Sequence, residues 1–239
     1  MNLLTWNCAM AFRKKYHLVL DFKPDVMVIQ ECEHKDKLPI QKLQDEHGLH
    51  QVIWYGKNPH KGIAVLAYGE VELSLMEEHD PQYEYVLPIK MKVHDQMINL
   101  FAIWAMPHST RSKGYVGQVW GAINHYRSLL DHPSILVGDF NSHPIWDHKY
   151  PKGCHTDVVS FLKDKEILST YHQSHGVSHG QETDPTFFLT KKLTKPYHLD
   201  YCFVSSSLMN IKTKVTVGSY DDWISKSDHM PVSIQHLDC

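Results

Sequence analysis

Short apolar runs recur along the chain and are separated by polar segments. They predict strands over Leu3–Asn7, Asp25–Glu31, Gly62–Tyr68, Tyr85–Val93, Ile98–Ala105, Ser134–Asp139, His198–Val204, Ile211–Val217 and Met230–Gln235. Several runs, such as VMVIQ from Val26 and LFAIWA from Leu100, are nearly all apolar rather than alternating. Strands of that kind belong to sheets covered on both faces. Helical spacing is clearest in GYVGQVWGAINHYRSLLD, where Val116, Val119, Trp120, Ile123, Tyr126 and Leu130 recur every three or four residues. Shorter helices are predicted over Ala11–Phe22, Lys35–His47 and Asp157–Lys165. Strands mixed with helices predict two sheets packed face to face with helices outside. No repeat, low-complexity segment or Pro/Ser-rich linker interrupts the pattern, so residues 1–239 are expected to form a single domain. Tyr171–Asp184 and Lys191–Tyr197 are polar and stand out as candidate functional loops.

Composition narrows the class. With 42% hydrophobic and 11% aromatic residues, the chain can bury a sizeable core. Charged residues make up 21% without a long single-sign block, which argues against disorder. The net charge of −3 argues against a protein that coats nucleic acid non-specifically, while leaving room for a local phosphate grip. No apolar run reaches membrane-spanning length, and the opening MNLLTWN lacks the features of a secretory signal. Five cysteines, odd in number and without C-x-x-C spacing, fit a reduced compartment, so a cytoplasmic location is expected.

The ends of the predicted strands carry the chemistry. LLTWN ends in Asn7, VMVIQE in Gln30 and Glu31, and ILVGDFN delivers Asp139 and Asn141. YHLDYCF places Asp200 within an apolar strand, and SDHMPV sets Asp228 and His229 just before another. Each alone reads as turn chemistry or a solvated strand end. A carboxylate flanked by Leu199, Tyr201 and Phe203, however, needs a partner if buried. Taken together, the set suits metal-assisted phosphoryl transfer. Hard oxygen ligands such as Glu31 hold a magnesium ion, which neutralises charge on a phosphodiester. Asn7 and Asn141 offer neutral donors to phosphate oxygens. A histidine oriented by a carboxylate, such as His229 with Asp200, serves as a base or as a cationic phosphate clamp.

The segments LLTWN, VIQE, GIAVL, INLFAIWA, ILVGDFNS, HLDYCF and SDHMPV, in that order, resemble the endonuclease/exonuclease/phosphatase superfamily from residue 3 to residue 232. The resemblance implies a four-layer α-β-β-α sandwich with the active site at one edge of two mixed sheets. It implies Glu31 as the main ligand of Mg²⁺, for which Mn²⁺ can substitute, with Asn7 assisting and Asp228 near the metal. Asp139 would orient or deprotonate the attacking water, or protonate the leaving oxygen. Asn141 would hold the phosphate, and Asp200 would pair with His229. The chain departs from the exonuclease III-like and tyrosyl-DNA phosphodiesterase branches after WN, where Ala9, Met10 and Ala11 replace an Asn or Asp and a Gly. Deoxyribonucleases and sphingomyelinases often carry a second histidine on the central strand. Trp104 stands there, with His108 four residues on as a candidate substitute.

Basic residues cluster after three of the strands that carry the motifs: Arg13, Lys14 and Lys15; Arg111 and Lys113; Lys191, Lys192 and Lys195. That placement predicts a phosphate funnel, with Arg13, Lys14, Lys15, His108, Arg111 and Lys192 as substrate contacts. Trp104, Trp146 and Trp223 are candidates to stack on bases, with a core role favoured for Trp104. Cys8 and Cys32 are expected in the core rather than as nucleophiles. YHQSHGVSHG contains His172, His175 and His179 without a Cys or acidic residue inside it, so it reads as a mobile polar loop rather than a zinc site. The expected activity is Mg²⁺-dependent hydrolysis of DNA phosphodiester bonds by a monomer. The alternative is a phosphatase or phosphodiesterase acting on inositol phosphates or on phospholipids such as sphingomyelin.

Overall fold

In the computed structural model, which describes residues 1–239, the apolar runs pair into two six-stranded sheets. The first contains β1 (Leu3–Asn7), β2 (Val26–Cys32), β3 (Leu49–Asn58), β4 (Lys61–Tyr68), β13 (Lys214–Val217) and β14 (Val232–Gln235). The second contains β5 (Glu72–Leu75), β6 (Val86–Val93), β7 (Gln96–Trp104), β8 (Ser134–Asp139), β9 (Ile167–Ser169) and β12 (Asp200–Ser205). Their orders are β13-β14-β1-β2-β4-β3 and β5-β6-β7-β8-β12-β9, and both mix parallel with antiparallel pairs. A short ribbon, β10 (Phe187–Phe188) with β11 (Pro196–Tyr197), stands apart.

The two-residue period of a strand decides which side chains meet. Leu3 of β1, Val26 and Val28 of β2, Ile135 and Val137 of β8 and Cys202 of β12 fill the core between the sheets. Leu4, Trp6, Met27 and Ile29 point the other way, where α1 (His17–Leu20) and α2 (Ile40–His47) cover them through Val19 and Leu43. Leu136 and Phe203 face α3 (Val116–His125) and α4 (His155–Asp164), packed by Val119, Ile123, Val158 and Leu162. The architecture is the expected four-layer α-β-β-α sandwich. Cover on both faces is why the central strands read as unbroken apolar runs.

Several elements differ from expectation. Strands β3, β5 and β9 escape the pattern because β3 and β5 are largely half-buried or exposed and β9 is only three residues long. The helix expected over Lys35–His47 begins only at Ile40, after Pro39, with a 3-10 turn at Lys35–Lys37 before it. Ala11–Phe22 breaks into a 3-10 turn at Phe12–Lys14 and α1. Tyr171–Asp184 is partly built into the fold: α5 (Thr170–His175) buries Tyr171 and His172. No helix is long and apolar enough to cross a membrane.

Candidate active site at the sandwich edge

The alternation that fills the intersheet core also builds the site. Asn7 shares the inward side of β1 with Leu3. Asp139 shares that of β8 with Ile135 and Val137, and Asp200 that of β12 with Cys202. At one end of the sandwich the apolar residues therefore give way to polar ones facing each other across the two sheets. Asp139 and Asp200 are cross-strand partners in the antiparallel β8–β12 pair. Asn7, from the opposite sheet, donates from Nδ2 to Asp139 Oδ2 at 3.1 Å and to Glu31 Oε1 at 3.4 Å. Asn141 donates its backbone N–H to Asp139 Oδ1 at 2.9 Å and its Nδ2 to Oδ2 at 3.1 Å.

His229 is held from several sides. Its Nδ1 lies 2.8 Å from Asp200 Oδ2, its backbone N–H donates to Ser227 Oγ, and Phe187 packs on the ring. Its Nε2 comes within 3.8 Å of Asp139 Oδ2. Burial disfavours the imidazolium, but Asp200 and Asp139 outweigh it and push His229 up to about 10. Burial pushes the Asp139 carboxyl up, His229 pulls it back and Asp200 raises it again, leaving it at about 7. The group thus holds a buried cation beside an acid poised to exchange a proton near neutrality.

The backbone is bent to aim these side chains. Glu31 sits at a β-bulge between the Gln30–Ile63 and Cys32–Gly62 pairs, with φ of 58°. The bulge turns its carboxylate towards the edge instead of along the sheet face. Asn141 is also left-handed, with φ of 47°. Gly138, with φ of 140°, lies so close to β7 that an added Cβ would stand 2.0 Å from the Ile103 carbonyl oxygen. Ala9, Met10 and Ala11, the residues that replace Asn and Gly in related branches, all adopt left-handed φ of 49°, 65° and 53°. Such backbone costs an alanine or methionine about 1–2 kcal/mol per residue, so this turn needs outside support. Lys15 supplies it, donating from Nζ to the carbonyls of Cys8 and Lys226.

Not every predicted contact is free for substrate. Arg13 pairs with Glu33 at 2.8 Å, and Lys15 is spent on the carbonyls just named; both had been expected in the phosphate funnel. Lys14 and Lys192 are exposed, and no polar partner holds either. His108 and Arg111 line a cleft of about 640 Å³ beside Asn141, together with Trp146 and Lys149. Trp223 lies elsewhere, edge-on to Trp6 at 5.2 Å. Trp104, Cys8 and Cys32 are buried. Asp228 forms a 3.5 Å contact with Ser227 Oγ and no hydrogen bond with Glu31, Asn7 or Asp139. Sequence reasoning passed over Lys61, whose Nζ lies 3.2 Å from Glu31 Oε1 and 5.1 Å from the Trp104 ring. Its signal was its place at the start of the strand antiparallel to the end of β2.

The side chains fit a divalent cation. Asp139 and Asp200 bring carboxylate oxygens within 4.8 Å of one another, and Asp200 Oδ1 is buried without a hydrogen-bond partner. Glu31 adds a carboxylate about 20% exposed at the mouth. Its hard oxygens suit an ion that keeps part of its water shell.

Two face-to-face sheets with a carboxylate–amide–imidazole cluster at one edge define a hydrolase of phosphoester bonds. The sequence matches the Endonuclease/Exonuclease/phosphatase family over residues 4–229, and the chain belongs to that family. No curated protein matches it. Among solved structures it is similar to the 3′ phosphatase NExo from Neisseria bound to a product DNA hairpin, with TM-score 0.70, 21% identity and 99% of each chain covered. It is also similar to an AP endonuclease from Archaeoglobus fulgidus, with TM-score 0.68, 16% identity and 100% of each chain covered. The AP endonuclease LMAP from Leishmania major gives TM-score 0.68 and 15% identity over 98% of this chain and 86% of that one. At these identities the likeness is one of fold.

Proposed function

We propose that this chain hydrolyses DNA phosphoester bonds with the help of a divalent cation, Mg²⁺ in the first instance with Mn²⁺ able to replace it. The observation that carries the reading is the buried Asp139–His229–Asp200 group, bonded through Asp139 to Asn141, which lines a cleft with cationic and aromatic walls. Arg111 and Lys149 line that cleft, and Trp146 packs on Tyr197 at 5.1 Å, offering a surface on which a base can stack. The solved relatives of this fold include one bound to a DNA hairpin.

The roles follow from the contacts. Glu31 holds the cation, which when bound neutralises charge on the phosphate and stabilises the leaving oxygen. Asn7 holds the Glu31 and Asp139 carboxylates at a fixed spacing. Asp139 takes the proton of the attacking water. His229, kept cationic by Asp200, offers positive charge to the phosphoryl oxygens as negative charge builds on them. The Asn141 amide, on the cleft wall, adds a neutral donor.

The test is incubation with Mg²⁺ or Mn²⁺ and plasmid, single-stranded, abasic-site and 3′-phosphate DNA, with RNA, inositol phosphates and sphingomyelin in parallel. The expected result is hydrolysis of DNA that EDTA abolishes and that Asp139→Asn lowers by about 10³-fold. Intact DNA alongside hydrolysed inositol phosphate or sphingomyelin would overturn the reading.

A further inference from the structure

Lys61 stands where the strand pattern calls for an apolar side chain. On β4 it is in step with Ile63, Val65 and Ala67, which fill the core between the sheets. The strand order β1-β2-β4 sets it in a row with Asn7 and Glu31 along the edge of one sheet. The facing row on the other sheet is Asp200, Asp139 and Trp104, register partners across β12, β8 and β7. Lys61 reaches both rows: its Nζ lies 3.2 Å from Glu31 Oε1 and 5.1 Å from the centre of the Trp104 ring. The same Glu31 oxygen accepts from Asn7, which also donates to Asp139. One ammonium is thereby joined to the Asp139–His229–Asp200 group through two side chains.

An ordinary surface ion pair would contribute little and do nothing more. Three features set Lys61 apart from one. Its carboxylate partner is the residue at the mouth best suited to a divalent cation, and Glu31 has no other cationic partner. Its platform is fixed: Trp104 is buried and packs edge-on against Tyr85 at 4.8 Å. A cation over an indole face is held more firmly where water is partly excluded, and the Lys61 side chain is only 34% exposed. Finally, a mere tether between the sheets needs no charge, since an aliphatic side chain on Trp104 would serve. A lysine lays an apolar stem along the core and keeps its charged head at the opening.

We propose that Lys61 changes partner at this site: it neutralises Glu31 in the metal-free chain, yields that carboxylate to the divalent cation, and then pairs with a non-bridging oxygen of the substrate phosphate. The inference rests on the reading of Glu31 as the residue that holds the cation. Magnesium binds a carboxylate oxygen at about 2.1 Å. An ammonium 3.2 Å from the same oxygen is then a like charge too close to remain. The Trp104 ring keeps the displaced head at the mouth, where the phosphate brings the negative charge that Glu31 no longer offers. A compact ammonium on a flexible stem suits such an exchange.

The test compares full-length Lys61→Met, which keeps an unbranched stem on Trp104, and Lys61→Gln with the parent. Without DNA, Mn²⁺ binding followed by electron paramagnetic resonance should tighten by about two- to fivefold in both variants, because a competing cation is gone. In an Asp139→Asn background saturated with Mn²⁺, a short fluorescent DNA duplex should bind less tightly. The slope of log affinity against log salt should fall by about 0.9, the share of one phosphate contact. In the parent, acylation of the Lys61 amine, read by mass spectrometry, should rise when Mn²⁺ is added and fall when DNA follows. That measurement keeps the test decisive if a variant fails to fold. Mn²⁺ binding that is unchanged or weaker, an unchanged salt slope, or labelling indifferent to both additions would each overturn the inference. Glu31→Gln separates the two readings without any assay of hydrolysis. If Mn²⁺ binding survives that substitution undiminished, the cation is misplaced and both readings fall. If Glu31→Gln abolishes it while the Lys61 variants match the parent, only the role of Lys61 falls.

Discussion

Two buried carboxylate–imidazole clusters flank the Asn141–His143 segment, and they settle their charge in opposite directions. At the sheet edge a single imidazole, His229, meets two carboxylates, Asp139 and Asp200, which hold it up at about 10. Around Glu182 several imidazoles crowd one carboxylate, with His172 Nε2 2.9 Å and His143 Nε2 3.4 Å from its oxygens. There burial drives His155 and His179 down to about 3 and His198 to about 4. The residue types are the same and the burial is similar; the ratio of acids to rings differs. Where acids outnumber rings, burial yields a fixed imidazolium suited to facing phosphate. Where rings outnumber acids, burial instead keeps His155, His179 and His198 neutral.

The largest effect should come from breaking the first ratio. His229→Gln removes the cation and leaves Asp139 and Asp200 facing each other with only amides and backbone for company. Phosphoester hydrolysis should fall by about 10³-fold, and stability by about 3–5 kcal/mol for a buried charge set stripped of its partner. Adding Asp200→Asn should restore part of the stability and none of the turnover, as read by denaturant melts beside an activity assay. Stability unchanged in His229→Gln would mean that the carboxylates hold no charge there, and the contrast between the clusters would collapse.

How legible the two clusters were in the sequence also differs. Asn7, Glu31, Asp139, Asp200 and His229 could be picked out because each interrupts or ends an apolar run, and the strand period carries such residues to a shared edge. The sheets were legible for the same reason, except at β3, β5 and β9, whose residues alternate with solvent or form too short a run. The Glu182 cluster was not legible. The stretch from Tyr171 to Gly180 contains His172 and His179 but stops short of Glu182, and His143 and His155 come from separate elements. Only packing of α4 and α5 against the loop after β8 unites them. Arg13 looked free for phosphate because its partner, Glu33, is 20 residues away, and Lys15 because its acceptors are backbone carbonyls of a turn whose left-handed shape leaves no mark in the residue types.

A second effect tests the opposite protonation of the clusters through pH. His155, His179 and His198 are neutral in the folded chain and take up protons on unfolding below about 6.5. Their contribution to stability is therefore present above that pH and is lost as pH falls towards 4 for His198 and 3 for the others. Each ring contributes up to about 1.4 kcal/mol per pH unit. Asp139, raised to about 7, works against them between its unfolded value and 7, but one carboxyl is outnumbered by three rings. His229 acts on the alkaline side: its contribution is complete below about 6.5 and is lost as pH rises through about 10. Melting temperatures measured without metal should trace a dome whose acid limb is less steep in His198→Gln. An acid limb of unchanged slope in that variant would show that His198 is charged in the folded chain.

The smallest effect asks whether the clusters act separately despite sharing a segment. Ser142 lies between Asn141 and His143; its Oγ meets His155 Nδ1 at 2.9 Å, and its carbonyl accepts from Tyr201 Oη at 3.1 Å. Ser142→Ala keeps the carbonyl contact and leaves one buried imidazole nitrogen unpaired, at a cost of about 1–3 kcal/mol in stability. Asn141 keeps all its contacts to Asp139 and Ala105, since none of them passes through the Ser142 hydroxyl. Turnover should therefore stay within about threefold of the parent while the melting temperature drops by several degrees, about 2–4 °C per kcal/mol for a chain of this size. A turnover loss as deep as that of His229→Gln would mean that the ring-rich cluster sets the position of the catalytic loop directly, and that the two regions form a single device.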